Sequence, residues 1–261
     1  MNQDLKIHLL QADLFWENKA KNLAIFDSMI SNIVQSDLII LPEMFSTGFT
    51  NNSKEYCEPM NGPTVEWMKK TAEAADSAIC GSAIIQHDHH IFNRFLFIQP
   101  DGSISFYDKK HLFAMARENN YYAPGDSQIL IEYKSWKICP MVCYDLRFPI
   151  WSRRRENDFN YDLLIYVASW PKARINAWTT LLKARSIENM SYCAGLNRIG
   201  SDHNKLEYPG ASIVVDPLGK VISETDLNKE QVIEATLEKQ ILINNRLKLP
   251  FQSDADPFVL N

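Results

Sequence analysis

Residues 37–41 read Asp-Leu-Ile-Ile-Leu, and Pro42 ends this apolar run. A continuous apolar strand is typical of a sheet position that is covered on both faces. A second run of this kind, YDLLIYVA, spans Tyr161–Ala168. Segments with helical spacing, such as Asn18–Val34, alternate with strand segments along the chain. This alternation predicts a layered α/β fold.

The other predicted elements follow from the same patterns. Helices are predicted over Pro63–Ala75 and Asn176–Met190. Further strands are predicted over Leu5–Leu10, Ser77–Gln86, Ile91–Gln99, Ser103–Tyr107, Ile129–Tyr133, Lys137–Val142, Tyr192–Arg198, Ala211–Val215, Val221–Glu224 and Val232–Thr236. No repeat or low-complexity linker divides the chain, which predicts one domain over 1–261 with its core at about 5–240. Residues 241–261 are predicted to be a C-terminal tail, either a frayed end or an arm on a partner subunit.

Composition excludes several classes of protein. Of 261 residues, 46% are hydrophobic and 23% are charged, which excludes a disordered or collagen-like chain. The net charge of −5, without a long basic block, argues against nucleic-acid binding. The chain has no apolar run of membrane-spanning length. Five cysteines, no CxxC pair and no signal peptide predict a soluble cytoplasmic protein with free thiols.

Common nucleotide and serine-hydrolase motifs are missing from the sequence. It contains no G-x-S-x-G, no P-loop and no G-x-G-x-x-G. The tract His87-Asp88-His89-His90 is a possible metal site, but no second ligand pair stands at metal spacing. We interpret it as a hairpin turn and expect neither a metal nor an organic cofactor.

Reactive side chains follow three of the predicted strands. Glu43 comes directly after the run that Pro42 ends, Lys109 follows the strand ending at Tyr107, and Cys143 follows the strand ending at Val142. Sites of α/β proteins are usually built at strand ends. A carboxylate, an ammonium and a thiol are together sufficient for covalent acyl transfer.

The blocks around these residues resemble those of a known family. L-P-E-M-F with Glu43, Y-D-K-K-H-L with Lys109 and V-C-Y-D-L-R-F-P with Cys143 are similar, in order and spacing, to the signature blocks of the nitrilase superfamily of carbon–nitrogen hydrolases. The resemblance runs from Leu5 to about Thr236. It implies a single-domain α-β-β-α sandwich that forms a four-layer sandwich in a homodimer or higher homo-oligomer. It also implies hydrolysis of non-peptide C–N bonds in small molecules without a metal or cofactor.

The resemblance implies further site residues. Lys109 rather than Lys110 matches the family's lysine, because it precedes x-His-Leu. Glu118, in M-A-R-E-N-N, resembles a second catalytic glutamate, and Asp108 stands where many relatives have a basic residue. The backbone N–H of Tyr144 is expected in the oxyanion hole, and Trp170 is a candidate wall of the substrate pocket.

A finer resemblance concerns the substrate. C-P-M-V-C-Y-D-L-R-F-P together with S-W-P at Ser169 is similar to the omega-amidase branch, which releases ammonia from omega-amides of 2-oxo acids such as 2-oxoglutaramate. The distal carboxylate of such a substrate needs a cation or backbone donors. Arg147, Arg174 and Arg185 are candidates, with structural salt bridges as the alternative.

The expected mechanism is thioester catalysis. Cys143 attacks as a thiolate that the Lys109 ammonium holds below its free pKa of about 8.5. Glu43 accepts and returns protons, and Glu118 orients Lys109 or the substrate amide. The alternatives are another amidase, an N-carbamoyl-amine hydrolase, a nitrilase or, outside catalysis, a silent binding module.

Overall fold

Strands and helices alternate along the chain, as predicted. The structure is a computed structural model that describes residues 3–260. Residues 1, 2 and 261, at the ends of the predicted domain, lie outside this range. The α-helices within it are α1 (Lys19–Ile30), α2 (Ser53–Tyr56), α3 (Pro63–Ala75), α4 (Ile175–Asn189) and α5 (Lys239–Lys248). Its strands are β1 (Leu5–Gln11), β2 (Leu38–Ile40), β3 (Ala78–His87), β4 (His90–Ile98), β5 (Ile104–Asp108), β6 (Ile131–Tyr133), β7 (Trp136–Val142), β8 (Leu163–Ala168), β9 (Tyr192–Asn197), β10 (Ile199–Ser201), β11 (Glu207–Pro209), β12 (Ile213–Val215), β13 (Val221–Glu224) and β14 (Gln231–Leu237).

Two sheets of six strands each form from the described residues. The first has the order β14-β1-β2-β3-β4-β5, and the second has the order β13-β12-β9-β8-β7-β6. In each sheet three central strands are parallel, β1-β2-β3 and β7-β8-β9, and the flanking pairs are antiparallel. The two apolar runs, β2 and β8, therefore lie inside their sheets. The parallel strands β2 and β7 supply two residues of the site at their ends, and the antiparallel edge strand β5 supplies a third.

The sheets pack face to face between outer helices. Side chains alternate across each strand, so Ile40 of β2 joins the core between the sheets while Ile39 joins the core under α1 and α3. On the second sheet, Trp178 and Leu182 of α4 pack against the strands from outside. The result is the expected α-β-β-α sandwich in a single domain. Across residues 3–260, no helix combines the length and the apolar character needed to cross a membrane.

The predicted C-terminal tail differs from the structure. Helix α5 covers Lys239–Lys248, so the segment expected as a tail from residue 241 begins inside a helix. Leu242 is fully buried, and Lys239 and Arg246 both form ion pairs with Asp162, at 2.6 and 3.1 Å. This helix buries one narrow side and carries polar residues elsewhere, so its apolar periodicity is weak.

The histidine tract forms the turn between β3 and β4. His87 pairs with His90, and Asp88 has the positive φ of a tight turn. The side chains of this tract are exposed. Over residues 3–260, no cluster of three or more His, Cys, Asp or Glu side chains is arranged to hold a metal ion.

Candidate active site

Four of the residues singled out in the sequence meet at the ends of β2, β5 and β7. Lys109 Nζ lies 2.9 Å from Glu43 Oε1 and 3.0 Å from each carboxylate oxygen of Glu118. None of these three side chains exposes more than 1% of its surface. Cys143 lines the same cavity as Glu43 and Lys109 and interacts electrostatically with both. One ammonium thus lies between two carboxylates, next to a thiol.

The Glu43 carboxylate is held at both of its oxygens. Oε1 accepts hydrogen bonds from Lys109 Nζ and from the side-chain amide of Asn93, at 2.9 and 2.8 Å. Oε2 accepts a hydrogen bond from the backbone N–H of Ser169, at 2.8 Å. Because these partners come from three different segments of the chain, the carboxylate has one fixed orientation.

Glu118 reaches the site from a short 3₁₀ turn, Glu118–Asn120. Its Oε2 accepts the backbone N–H of Phe113 at 2.6 Å, and its Oε1 lies 3.3 Å from Asn93 Nδ2. The preceding residue, Arg117, has a φ of +60°. A short turn of this kind has no periodicity, so only the family resemblance pointed to this glutamate.

Cys143 stands on a sharp turn between β7 and the 3₁₀ segment Cys143–Arg147. Its φ of +44° is rare for a non-glycine residue and indicates local backbone strain. The turn is held by Asp145, whose Oδ2 accepts hydrogen bonds from the backbone N–H of Val142 and from the Tyr107 hydroxyl, at 3.0 and 2.9 Å. The backbone N–H and ring Nδ1 of His111 lie 3.0 and 2.8 Å from Asp145 Oδ1.

Asp145 therefore ties the cysteine block to the lysine block. Tyr107 and His111 flank Lys109 within Y-D-K-K-H-L, so one buried carboxylate sets the distance between the two reactive segments. Sequence reasoning missed both Asp145 and Asn93. Asp145 lies within the quoted cysteine block, but Asn93 stands inside a strand with no motif around it.

The pKa of the Cys143 thiol is shifted in the direction opposite to the one expected from the sequence. Burial raises this pKa well above its ordinary value, and the negative charge of Glu43 raises it further. The Lys109 ammonium and the Ser169 N–H lower it but do not outweigh burial and Glu43. The expectation that Lys109 holds the thiol pKa below its ordinary value was wrong, because burial and the Glu43 charge outweigh the ammonium. A pKa raised in this way favours the protonated thiol in the resting site.

The pKa values of the charged neighbours Lys109 and Glu118 are raised as well. Burial alone lowers the pKa of Lys109, but Glu118 and Glu43 together raise it well above its ordinary value. Burial also raises the pKa of Glu118, with the Lys109 ammonium opposing the shift. Lys109 is therefore a permanent cation in this site.

A cavity of about 650 Å³ opens above Cys143. Trp170 is one of the residues that line it. The backbone N–H of Trp170 donates to Asn197 Oδ1 at 2.7 Å, and its indole N–H donates to the Arg174 carbonyl at 2.8 Å. Tyr144 also lines the cavity, near the start of the 3₁₀ segment, where backbone N–H groups lack helical partners.

The three candidate arginines separate into two groups. Arg147 and Arg174 line the cavity, and over residues 3–260 neither forms an ion pair. Arg185 lies outside the cavity lining, pairs with Glu188 at 3.0 Å and donates to the Leu146 carbonyl at 2.6 Å. Arg185 is a structural residue, whereas the other two present free cations to the cavity.

Residues 6–243 match the family model described as "Carbon-nitrogen hydrolase". The chain belongs to this family of enzymes.

Two named relatives and one solved structure are similar to the chain over nearly its whole length. The chain is 42% identical over 256 residues to a protein of Yersinia enterocolitica named omega-amidase YafV, covering 98% of each chain. It is 29% identical to the 2-oxoglutaramate amidase of Bacillus subtilis, covering 95% of this chain and 96% of that one. A solved structure from Xanthomonas campestris superposes with a TM-score of 0.96 at 42% identity, covering 99% of each chain. That structure is described as a CN-hydrolase superfamily protein with an arsenic adduct in the active site.

The electrostatics predict an unusual effect of Glu43→Gln. Loss of the negative charge lowers the pKa of the Cys143 thiol, so we expect Cys143 in this variant to react with iodoacetamide about tenfold faster than in the wild type at pH 8. Amide hydrolysis is expected to fall at least about a hundredfold in the same variant. Mass spectrometry with peptide mapping gives the labelling rate.

Glu58→Gln is the matched control, since Glu58 is a buried glutamate that caps α3 outside the cavity lining. Its Cys143 is expected to react at the wild-type rate. A rate for Glu43→Gln at or below that of the wild type would refute this account of the thiol.

Proposed function

We propose that this protein is an omega-amidase, which hydrolyses the terminal amide of 2-oxo acid omega-amides such as 2-oxoglutaramate. One observation carries the proposal: Cys143, Glu43 and Lys109 lie at one end of a cavity whose walls present the unpaired guanidinium groups of Arg147 and Arg174. The thiol, carboxylate and ammonium suit acyl transfer from an amide, and the two guanidinium groups suit an anionic substrate. The names of the Yersinia and Bacillus relatives support the same substrate class.

The reaction begins with a neutral thiol. As the Cys143 sulfur attacks the amide carbon, its proton passes to Glu43, the adjacent base. The new C–S bond places a negative charge on the carbonyl oxygen. The Lys109 ammonium and the backbone N–H of Tyr144 stabilise this oxyanion. Because Lys109 stays charged, its positive charge is in place before the transition state forms.

The second half of the reaction releases both products. Glu43 delivers its proton to the leaving nitrogen, the C–N bond breaks, and ammonia departs from a thioester of Cys143. Glu43 then takes a proton from water, which attacks the thioester carbon and releases the carboxylic acid as the sulfur regains its proton. Glu118 keeps Lys109 in position through its paired oxygens.

The walls of the cavity explain the choice of an anionic substrate. The Arg147 guanidinium lies over the Trp170 ring, 5.0 Å from its centroid, and that of Arg174 lies over Phe113 at 5.2 Å. Cation–π contacts hold these groups in place without neutralising their charge. The distal carboxylate of a 2-oxo acid amide is expected to bind them, with Trp170 as the wall of the binding site.

The assembly and location are part of the proposal. The 3₁₀ turn Phe251–Asp254 lies against the end of α4, because the Gln252 amide donates to the Glu188 carbonyl at 2.7 Å. Ile187 lies next to Gly219, and the apolar side chains of Ile187, Leu218 and Phe251 are exposed on this face of the protein. We assign this face to a second copy of the chain, as the family resemblance implies. Five free cysteines are consistent with the reducing cytoplasm.

The decisive test is ammonia release from 2-oxoglutaramate. We expect the wild-type protein to hydrolyse it and Cys143→Ala to be inactive. Glutamine, a nitrile and an N-carbamoyl amine serve as control substrates, and a coupled ammonia assay gives the rates. Turnover of only a control compound would replace omega-amidase by another activity of the family. Turnover by Cys143→Ala near the wild-type rate would exclude the thioester mechanism, and inactivity on every compound would favour a silent binding module.

The arginines are tested by Arg147→Met and Arg174→Met. Loss of a charge-assisted contact to the substrate carboxylate is expected to raise KM for 2-oxoglutaramate by roughly tenfold or more in each variant. Turnover of a neutral amide of similar length should change little. Lys172→Met removes a nearby cation outside the cavity lining and serves as the charge control. Equal KM changes in all three variants would rule out a carboxylate site at the arginines.

The dimer is tested by light scattering after gel filtration. The wild-type chain is expected to run as a dimer or a higher even-numbered oligomer, and Ile187→Glu with Leu218→Glu should produce monomers, because charges at an apolar contact are costly. A monomeric wild type, or a double variant with unchanged mass, would exclude this face as the interface.

A further inference from the structure

Asn93 is a fully buried polar residue beside the reactive cluster that the mechanism above does not use. It lies on β4, next to the edge strand β5 that leads into Lys109. Its carbonyl accepts a hydrogen bond from the backbone N–H of Lys109 at 3.0 Å. The chain therefore fixes Asn93 and Lys109 as direct neighbours. Their side chains reach the same pair of carboxylates.

The side-chain amide of Asn93 bridges those carboxylates. Its Nδ2 lies 2.8 Å from Glu43 Oε1 and 3.3 Å from Glu118 Oε1. Over residues 3–260, its Oδ1 has no hydrogen-bond partner. Two carboxylate acceptors fix the amide orientation, because only the NH₂ end can donate to them. The donor end of Asn93 is thus fully used, and its acceptor end is not.

The charge balance of the cluster explains why such a donor is needed. Two carboxylates and one ammonium leave one excess negative charge in a buried site. Lys109 Nζ already has contacts with three carboxylate oxygens. The amide hydrogens of Asn93 add partial positive charge between Glu43 and Glu118, where two like charges repel each other.

The hydrogen bonds also distinguish the two oxygens of Glu43. Oε1 accepts from both Lys109 and Asn93, whereas Oε2 accepts only from the Ser169 N–H among the described residues. A carboxylate oxygen accommodates about two hydrogen bonds. Oε1 is therefore saturated, and Oε2 keeps one acceptor position.

We propose that Asn93 is a positioning residue for the hydrolysis. It holds the Glu43 and Glu118 carboxylates side by side and leaves Glu43 Oε2 as the oxygen that exchanges protons with Cys143 and with the leaving nitrogen. Asn93 lies outside the cavity lining, so it acts through Glu43 and does not touch the substrate. This inference rests on the proposed amidase activity.

The test is the pH profile of kcat/KM for Asn93→Ala and Asn93→Leu, the latter keeping most of the side-chain volume. Without the two donors, the carboxylates hold a proton more readily, so the acidic limb is expected to move to higher pH by roughly one unit. At pH values on the acidic side of the wild-type limb, kcat of the variants should be about tenfold lower than that of the wild type. KM should stay within about twofold of the wild-type value.

Asn189→Ala is the matched control, since Asn189 is equally buried and its amide donates to a backbone carbonyl of α4, outside the cavity lining. Its acidic limb should stay at the wild-type pH even if its melting temperature falls. A wild-type limb in both Asn93 variants, or an equal shift in Asn189→Ala, would overturn the proposal.

A second readout separates this inference from the proposed function. The pH dependence of Cys143 alkylation by iodoacetamide needs no substrate, and it should also move to higher pH in the Asn93 variants, because the thiol loses the partial positive charge that the Asn93 amide places beside Glu43. If the wild type hydrolyses no amide, the proposed function fails, and the alkylation profile still decides the role of Asn93. An unshifted alkylation profile would contradict that role.

Discussion

A single ammonium buried between two carboxylates is the constraint on which the rest of the structure depends. Ionised groups are costly to bury unless each of them is paired and hydrogen-bonded. Lys109 meets that condition through Glu43 and Glu118, and both carboxylates accept further N–H donors, from Asn93, Phe113 and Ser169. The sandwich has to bring four segments together within hydrogen-bond distance. The ends of β2 and β7 bring Glu43 and Cys143 there, the edge strand β5 brings Lys109, and a 3₁₀ turn brings Glu118.

The same constraint explains what the sequence could predict. A carboxylate, an ammonium and a thiol each follow a predicted strand, and sites of α/β proteins are usually built at strand ends. That reasoning placed Glu43, Lys109 and Cys143 together. The layered fold followed from apolar runs with a clear period. Asp108, the departure from the family pattern, is also explained by the structure, since it forms a bidentate ion pair with the buried Arg94.

Other features depend on three-dimensional context that no local pattern encodes. Helix α5 buries Leu242 but carries polar residues around most of its surface, so it resembled an irregular tail. Asn93 looked like an ordinary strand residue. The prediction for the Cys143 pKa was wrong because this pKa depends on a sum of opposing effects. Counting Lys109 alone gives a thiolate, whereas counting burial and Glu43 as well gives a thiol.

The neutral resting state of Cys143 has a consequence for the life of the enzyme in the cell. Peroxides and most electrophiles attack thiolates, and a protonated thiol is a far poorer target. A nucleophile that loses its proton only during attack on the substrate is protected against oxidation between turnovers. Burial and the Glu43 carboxylate, which raise the pKa of the thiol, thereby also make it a poorer target for oxidants.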